Sequence, residues 1–321
     1  MSARSRVVAL TAAAAVVASA VVVGIVLLQT GPTPEAAAGP KPRPGPPPLT
    51  LALGVRIDPE ARALRRAAAA YAGGRRSRAA REFARWDSVE ARVGEAFARW
   101  PAGTVDRLNR LAGLHADRAV VQLNLGVALF WSGLTGAQEA WRQAIADEPD
   151  SAYAVSAGNL LHPEYAPGIP VFLSTAPLPS GFDELSPPDQ LRRLERDAQR
   201  SVAGKLLYGA ALQRLGMTRS AEKVYEAAAR DAPHDVEARV AAAVGRFDKA
   251  RPADAFSRLG PLTRAFPHKA TVRFHLGLLL LWSGEPQQAK RQLTRAIAVE
   301  PGSPLADQAR RYLAELRKAG I

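Results

Sequence analysis

Few residues in this 321-residue chain are of a type and spacing that could do chemistry. Its five histidines, His115, His162, His234, His268 and His275, stand singly, and none pairs at a helical spacing that would hold zinc. Cysteine is absent, which excludes disulfides, thiolate metal sites and a lipoprotein anchor. Gly204-Lys205 lacks the upstream glycine and the following Ser/Thr of a phosphate-cradling loop. No Gly-x-Ser-x-Gly turn occurs, and Asp183-Glu184 reads as solubilising charge. The expectation is a non-enzyme with no catalytic residue, no metal site and no cofactor. Binding chemistry is easier to place. Trp131 and Trp282 each precede Ser-Gly, with Asn124 and His275 close by in the same registers.

Those residues belong to a repeat. Pro233, Pro267 and Pro301 lie 34 residues apart, and the same step separates Ala221, Ala255 and Ala289, and Gly209, Ala243 and Gly277. Three registers with one period predict helix–turn–helix units that bury their apolar faces by stacking. In 202–235, Leu206, Leu207, Gly209 and Leu212 give an amphipathic first helix, with Gly209 placed for close backbone approach. Gly216 ends it, and Ala221, Tyr225 and Ala228 alternate small and large on a second helix. Pro233 blocks continuation. Residues 270–303 repeat this with Leu276, Gly277, Leu280, Gly284, Ala289, Leu293, Ala296 and Pro301. The unit 236–269 keeps Ala243, Ala255, Leu259, Leu262 and Pro267, with Arg251-Pro252 in its turn. An earlier copy shows Leu125-Gly126, Trp131-Ser132-Gly133, Ala137, Trp141, Ala144 and Glu148-Pro149.

These residues resemble the tetratricopeptide repeat over about 119–150 and 202–303, although Arg273 stands where that pattern usually starts with tryptophan. The resemblance implies an all-α solenoid of helical hairpins that binds protein. Further helix pairs are predicted at 60–71 with 77–86 and at 89–100 with 104–114, so that 50–118 reads as divergent hairpins. Residues 151–201 read as a degenerate repeat, with helices over 152–161 and 188–199 and a proline-rich insertion at 162–187. A final helix follows Ser303-Pro304 and caps the array over 304–321.

Residues 7–28 are 22 uncharged, mainly apolar positions. As a helix they would span about 33 Å, enough for a hydrocarbon core of about 30 Å. Arg4 and Arg6 precede the run and no basic residue follows before Lys41, which keeps residues 1–6 cytoplasmic and the repeats outside. The reading is a single transmembrane signal anchor; the competing one is a signal peptide cut after Ala18-Ser19-Ala20. The stretch 29–49 is a proline-rich linker, extended and semi-rigid.

The formal charge of +13 does not imply nucleic acid, because basic residues are scattered among acids and arginine outnumbers lysine 36 to 7. In the family resembled, ligands lie on the concave face built by the first helices. By register, that face would carry Asn124, Val127, Trp131, Arg214, Phe247, Phe274, His275, Leu278 and Trp282. The expectation is a membrane-anchored interaction scaffold in cell-envelope assembly, with a protein or peptide partner. A binder of cell-wall glycan or peptide is the alternative, and both tryptophans could instead be inter-helix packing.

Overall fold

Local rules account for where helices start. Asp58, Ser88, Ser201, Asp235 and Ser303 each accept a hydrogen bond from the backbone N–H three residues on, capping the helix that follows. Pro59, Pro286 and Pro304 occupy first-turn positions, where a missing N–H costs nothing. Gly216 and Gly284 turn the chain between helices at φ +78° and +77°, a conformation that other residues adopt poorly.

The structure, a computed structural model, describes residues 41–320. The described residues form fifteen α-helices and no strand. In chain order they are α1 (Pro59–Ala72), α2 (Arg76–Phe83), α3 (Val89–Ala98), α4 (Thr104–Leu114), α5 (Ala119–Trp131), α6 (Ala137–Asp147) and α7 (Ala152–Leu161). Then come α8 (Pro187–Ala198), α9 (Val202–Arg214), α10 (Thr218–Asp231), α11 (Val236–Gly245) and α12 (Ala253–Ala265). The last three are α13 (Ala270–Trp282), α14 (Pro286–Val299) and α15 (Pro304–Lys318). No helix among the described residues is long and apolar enough to cross a membrane, and the apolar run 7–28 lies outside them.

The chain divides between Leu161 and His162 into two compact units. In the first, α1–α7 enclose a core that includes Leu64, Phe83, Phe97, Leu108, Leu123 and Ala144. In the second, α9 pairs with α10, α11 with α12 and α13 with α14, around Tyr225, Val240, Leu259 and Leu279. The repeat glycines sit where helices meet. A Cβ on Gly209 would collide with the Tyr225 ring, and one on Gly126 with the Trp141 indole. One on Gly277 would come within 2.9 Å of Leu293 Cγ. Helix α15 lays Leu305 and Ala309 against Phe274 and Leu278, and leaves Arg310, Arg311, Arg317 and Lys318 exposed.

Candidate functional site

The first helices of these hairpins present polar side chains to a strip of extended main chain, and that strip comes from the protein itself. In the first unit it is 43–53, which follows from proline-rich sequence that can neither extend a helix nor supply a full ladder of donors. The Arg43 N–H donates to the Trp131 carbonyl at the exposed end of α5, at 2.8 Å. The Trp131 indole N–H donates to the Gly45 carbonyl at 3.0 Å, with the Pro44 carbonyl at 3.4 Å. Tyr71 Oη donates to the Pro47 carbonyl at 2.6 Å. The Asn124 amide, fully buried, makes a two-point contact with Thr50. Its Oδ1 accepts the Thr50 N–H at 3.1 Å, and its Nδ2 donates to the Thr50 carbonyl at 3.0 Å. The Ala52 N–H then donates to Tyr153 Oη on α7, at 3.1 Å. The Arg43 guanidinium lies 4.3 Å above the Phe130 ring centroid, a cation–π contact. The linker expected over 29–49 is thus not free from residue 43 on. Beside its Pro-Gly step lies an open cleft of about 730 Å³, lined by Gly74, Arg76, Trp100, Pro101, Trp131 and Ser132 together with the segment.

The second unit does the same with part of the 162–187 insertion. The Trp282 indole N–H donates to the Pro167 carbonyl at 3.1 Å. Gln213 on α9 accepts the Phe172 N–H at 2.8 Å and donates to the Pro170 carbonyl at 3.4 Å. Tyr225 Oη, whose pKa burial raises well above its ordinary value, donates to the same Gln213 oxygen. His275 Nε2 accepts the Leu173 N–H at 3.0 Å. Its Nδ1 donates to the Thr271 carbonyl at 2.7 Å, so the ring is held neutral with its lone pair toward the segment. Burial pushes its pKa down to about 4. The Glu237 carboxylate on α11 accepts from both the Thr175 N–H and its hydroxyl, and burial raises its pKa. Phe172 is fully buried, stacked on His275 at 4.7 Å and edge-on to Tyr225 at 5.5 Å.

The structure therefore brings Asn124 and Trp131 together on one bound segment, and His275 and Trp282 on another. Val127 is buried in the first core. Phe247 lies in the core of the second unit, and Phe274 and Leu278 pack under α15, so these three serve helix packing. Arg214 is half-buried, and desolvation lowers its pKa against the smaller opposing effect of nearby Tyr225 and Tyr312. Both tryptophans are half-buried: Trp282 meets Tyr312 edge-on while its N–H serves the segment. Tyr71, Tyr153, Gln213 and Glu237 escaped the sequence reading. No short motif marks a side chain whose partner lies 24, 101, 43 or 62 residues away. Among the described residues no three His, Asp or Glu side chains gather as for a metal ion.

No family model matches the sequence, and no curated protein matches it. Solved structures that it resembles include that of YrrB, described as a TPR protein with an unusual peptide-binding site, at 18% identity. That match covers 64% of this chain and 99% of the other, with a TM-score of 0.29. A tetratricopeptide repeat protein from Parabacteroides merdae ATCC 43184 matches at 11% identity over 78% of this chain and 96% of its own, with a TM-score of 0.31. Scores this low carry nothing about the ligand.

Proposed function

We propose that the chain is a non-catalytic interaction scaffold of the tetratricopeptide type that binds an extended segment of a protein partner along its first-helix faces. The supporting observation is the way those faces treat main chain. Asn124, His275, Gln213 and both indoles bind backbone N–H and C=O groups, which every peptide carries. Adjacent apolar surface then sorts the side chains. This is the logic of extended-peptide recognition, in which main-chain hydrogen bonds hold the segment and pockets give selectivity.

The reading places the scaffold in the cell envelope, anchored by 7–28 with its repeats outside the cytoplasm, on the strength of Arg4, Arg6 and the uncharged run. Purification of the full-length chain from detergent-solubilised membranes tests the function. A stoichiometric protein partner supports it. Retention on cell-wall sacculi without such a partner would favour glycan binding, to which the tryptophan-lined cleft of about 730 Å³ is suited.

A further inference from the structure

The two docked segments are versions of one motif. Residues 44–52 read Pro-Gly-Pro-Pro-Pro-Leu-Thr-Leu-Ala, and 167–175 read Pro-Gly-Ile-Pro-Val-Phe-Leu-Ser-Thr. Aligned at an offset of 123 (167 − 44), four main-chain contacts coincide, while the Arg43 N–H and Gly45 carbonyl bonds of the first segment and the Phe172 N–H bond of the second have no counterpart. The carbonyl of Pro44 or Pro167 faces a tryptophan N–H. The glycine that follows is left-handed in both, at φ +74° and +78°. The carbonyl of Pro47 or Pro170, each ring buried, accepts from a side chain. The N–H of Thr50 or Leu173 donates to Asn124 or His275, and that of Ala52 or Thr175 to a tyrosine or a glutamate. The receiving helices share one register too: Trp131 and Trp282 each stand seven residues after the side chain that receives the Thr50 or Leu173 N–H (131 − 124 and 282 − 275).

We infer that the Trp-Ser-Gly helix end, with the polar residue seven before it, is a recognition site for Pro-Gly-x-Pro segments that continue into apolar sequence. Its partner-facing ligand is such a segment on another protein, which replaces residues 43–53 in the first unit. The inference deepens the scaffold reading and rests on it. The glycine sets the specificity, because only that residue readily turns the chain at positive φ directly after the proline carbonyl that faces the indole. The second proline is the buried anchor. The first unit is the exchangeable one. Its segment borders an open cleft along Pro42, Arg43, Gly45 and Pro46, whereas Phe172 of 167–175 is fully buried in the core of the second unit.

A fluorescent synthetic peptide with the sequence of residues 41–53, titrated into the full-length chain in detergent micelles, tests this. The Gly45→Val chain keeps its helices, since a Cβ there meets nothing within 4 Å, but its own segment is disfavoured at φ +74°. The peptide is expected to bind that chain about ten-fold or more tightly than the parent, as removal of a competing occupant requires. A peptide carrying the same Gly→Val change is expected to bind about ten-fold more weakly. Thr50→Pro, which deletes the N–H given to Asn124, provides the same release independently should Gly45→Val fold poorly. Equal affinities for parent and released chains, or for the two peptides, overturn the inference. A parent dimer that becomes monomeric with Gly45→Val assigns the ligand to a second copy and likewise overturns it. An inert peptide beside a stoichiometric membrane partner removes the motif assignment and leaves the scaffold reading; a binding peptide without such a partner does the converse.

Discussion

At one register, Asn124 in the first unit and His275 in the second receive a segment N–H, yet only one of them titrates. His275 is fully buried between Phe172 and Phe274, and its pKa is pushed down to about 4 against an ordinary value near 6.5. Between those pH values the unfolded chain binds a proton that the folded ring refuses. Stability therefore falls as pH drops from about 6.5 to about 4, by roughly 3 kcal/mol at most for this group. A protonated Nε2 would also face the Leu173 N–H donor to donor, so the same pH drop loosens 167–175. His275→Asn, which copies the first unit, is expected to cost stability at pH 7 but to lose less on acidification. Urea titrations at pH 7 and pH 4.5 compare the two chains; equal acid losses would remove His275 from the account. The shared register of Asn124 with Trp131 and of His275 with Trp282 was legible because Trp-Ser-Gly occurs twice. Their occupants were not, because an extended proline-rich strip has no apolar period to betray the surface it lies on.

The helical hairpin depends on close approach. Gly277 lies so near Leu293 that a leucine there must displace α14, and overpacking of this kind costs about 1–3 kcal/mol. Gly277→Leu is expected to lower the melting temperature by circular dichroism; an unchanged melt would refute the register. Gly94 has an equal role against Phe83, where a Cβ would come within 2.5 Å of the ring, and no 34-residue repeat in the early hairpins marks it. Trp282→Ala is expected to lower stability by about 3–5 kcal/mol as a large truncation, since the side chain packs on Tyr312 besides holding Pro167. A Trp282→Phe chain, which loses the N–H but keeps most of the ring, separates the two roles. If it melts with the parent while protease cuts 162–175 no faster, the indole bond is idle. The all-helical character was readable because the 3.6-residue period and the glycine and proline stops agree. Where they disagree, as in 162–187, only the fold reveals that Phe172 is a core residue with a bound backbone.

For the whole molecule, topology and cooperativity are the open quantities. The proposed topology, with Arg4 and Arg6 on the cytoplasmic side, predicts that the untreated protein fractionates with membranes and that protease added to intact spheroplasts digests the repeats; full protection would invert the orientation. A stack of hairpins by itself folds from local contacts, and its stability is close to a sum over neighbours. The docked segments change that. Thr50 is joined to Asn124 across 74 residues, and Leu173 to His275 across 102. Each such bond demands loop closure before it repays anything, which slows folding. Once closed, α9, α11 and α13 share one strip of chain through Gln213, Glu237 and His275, so none of them frays without releasing the others. A Gly168→Val chain is thus expected to unfold faster and with a shallower urea dependence, as hairpins begin to open singly. The docked strips would then also make each array melt as one body, so that a partner of the proposed kind, in lifting a strip, would trade global cooperativity for its own contacts.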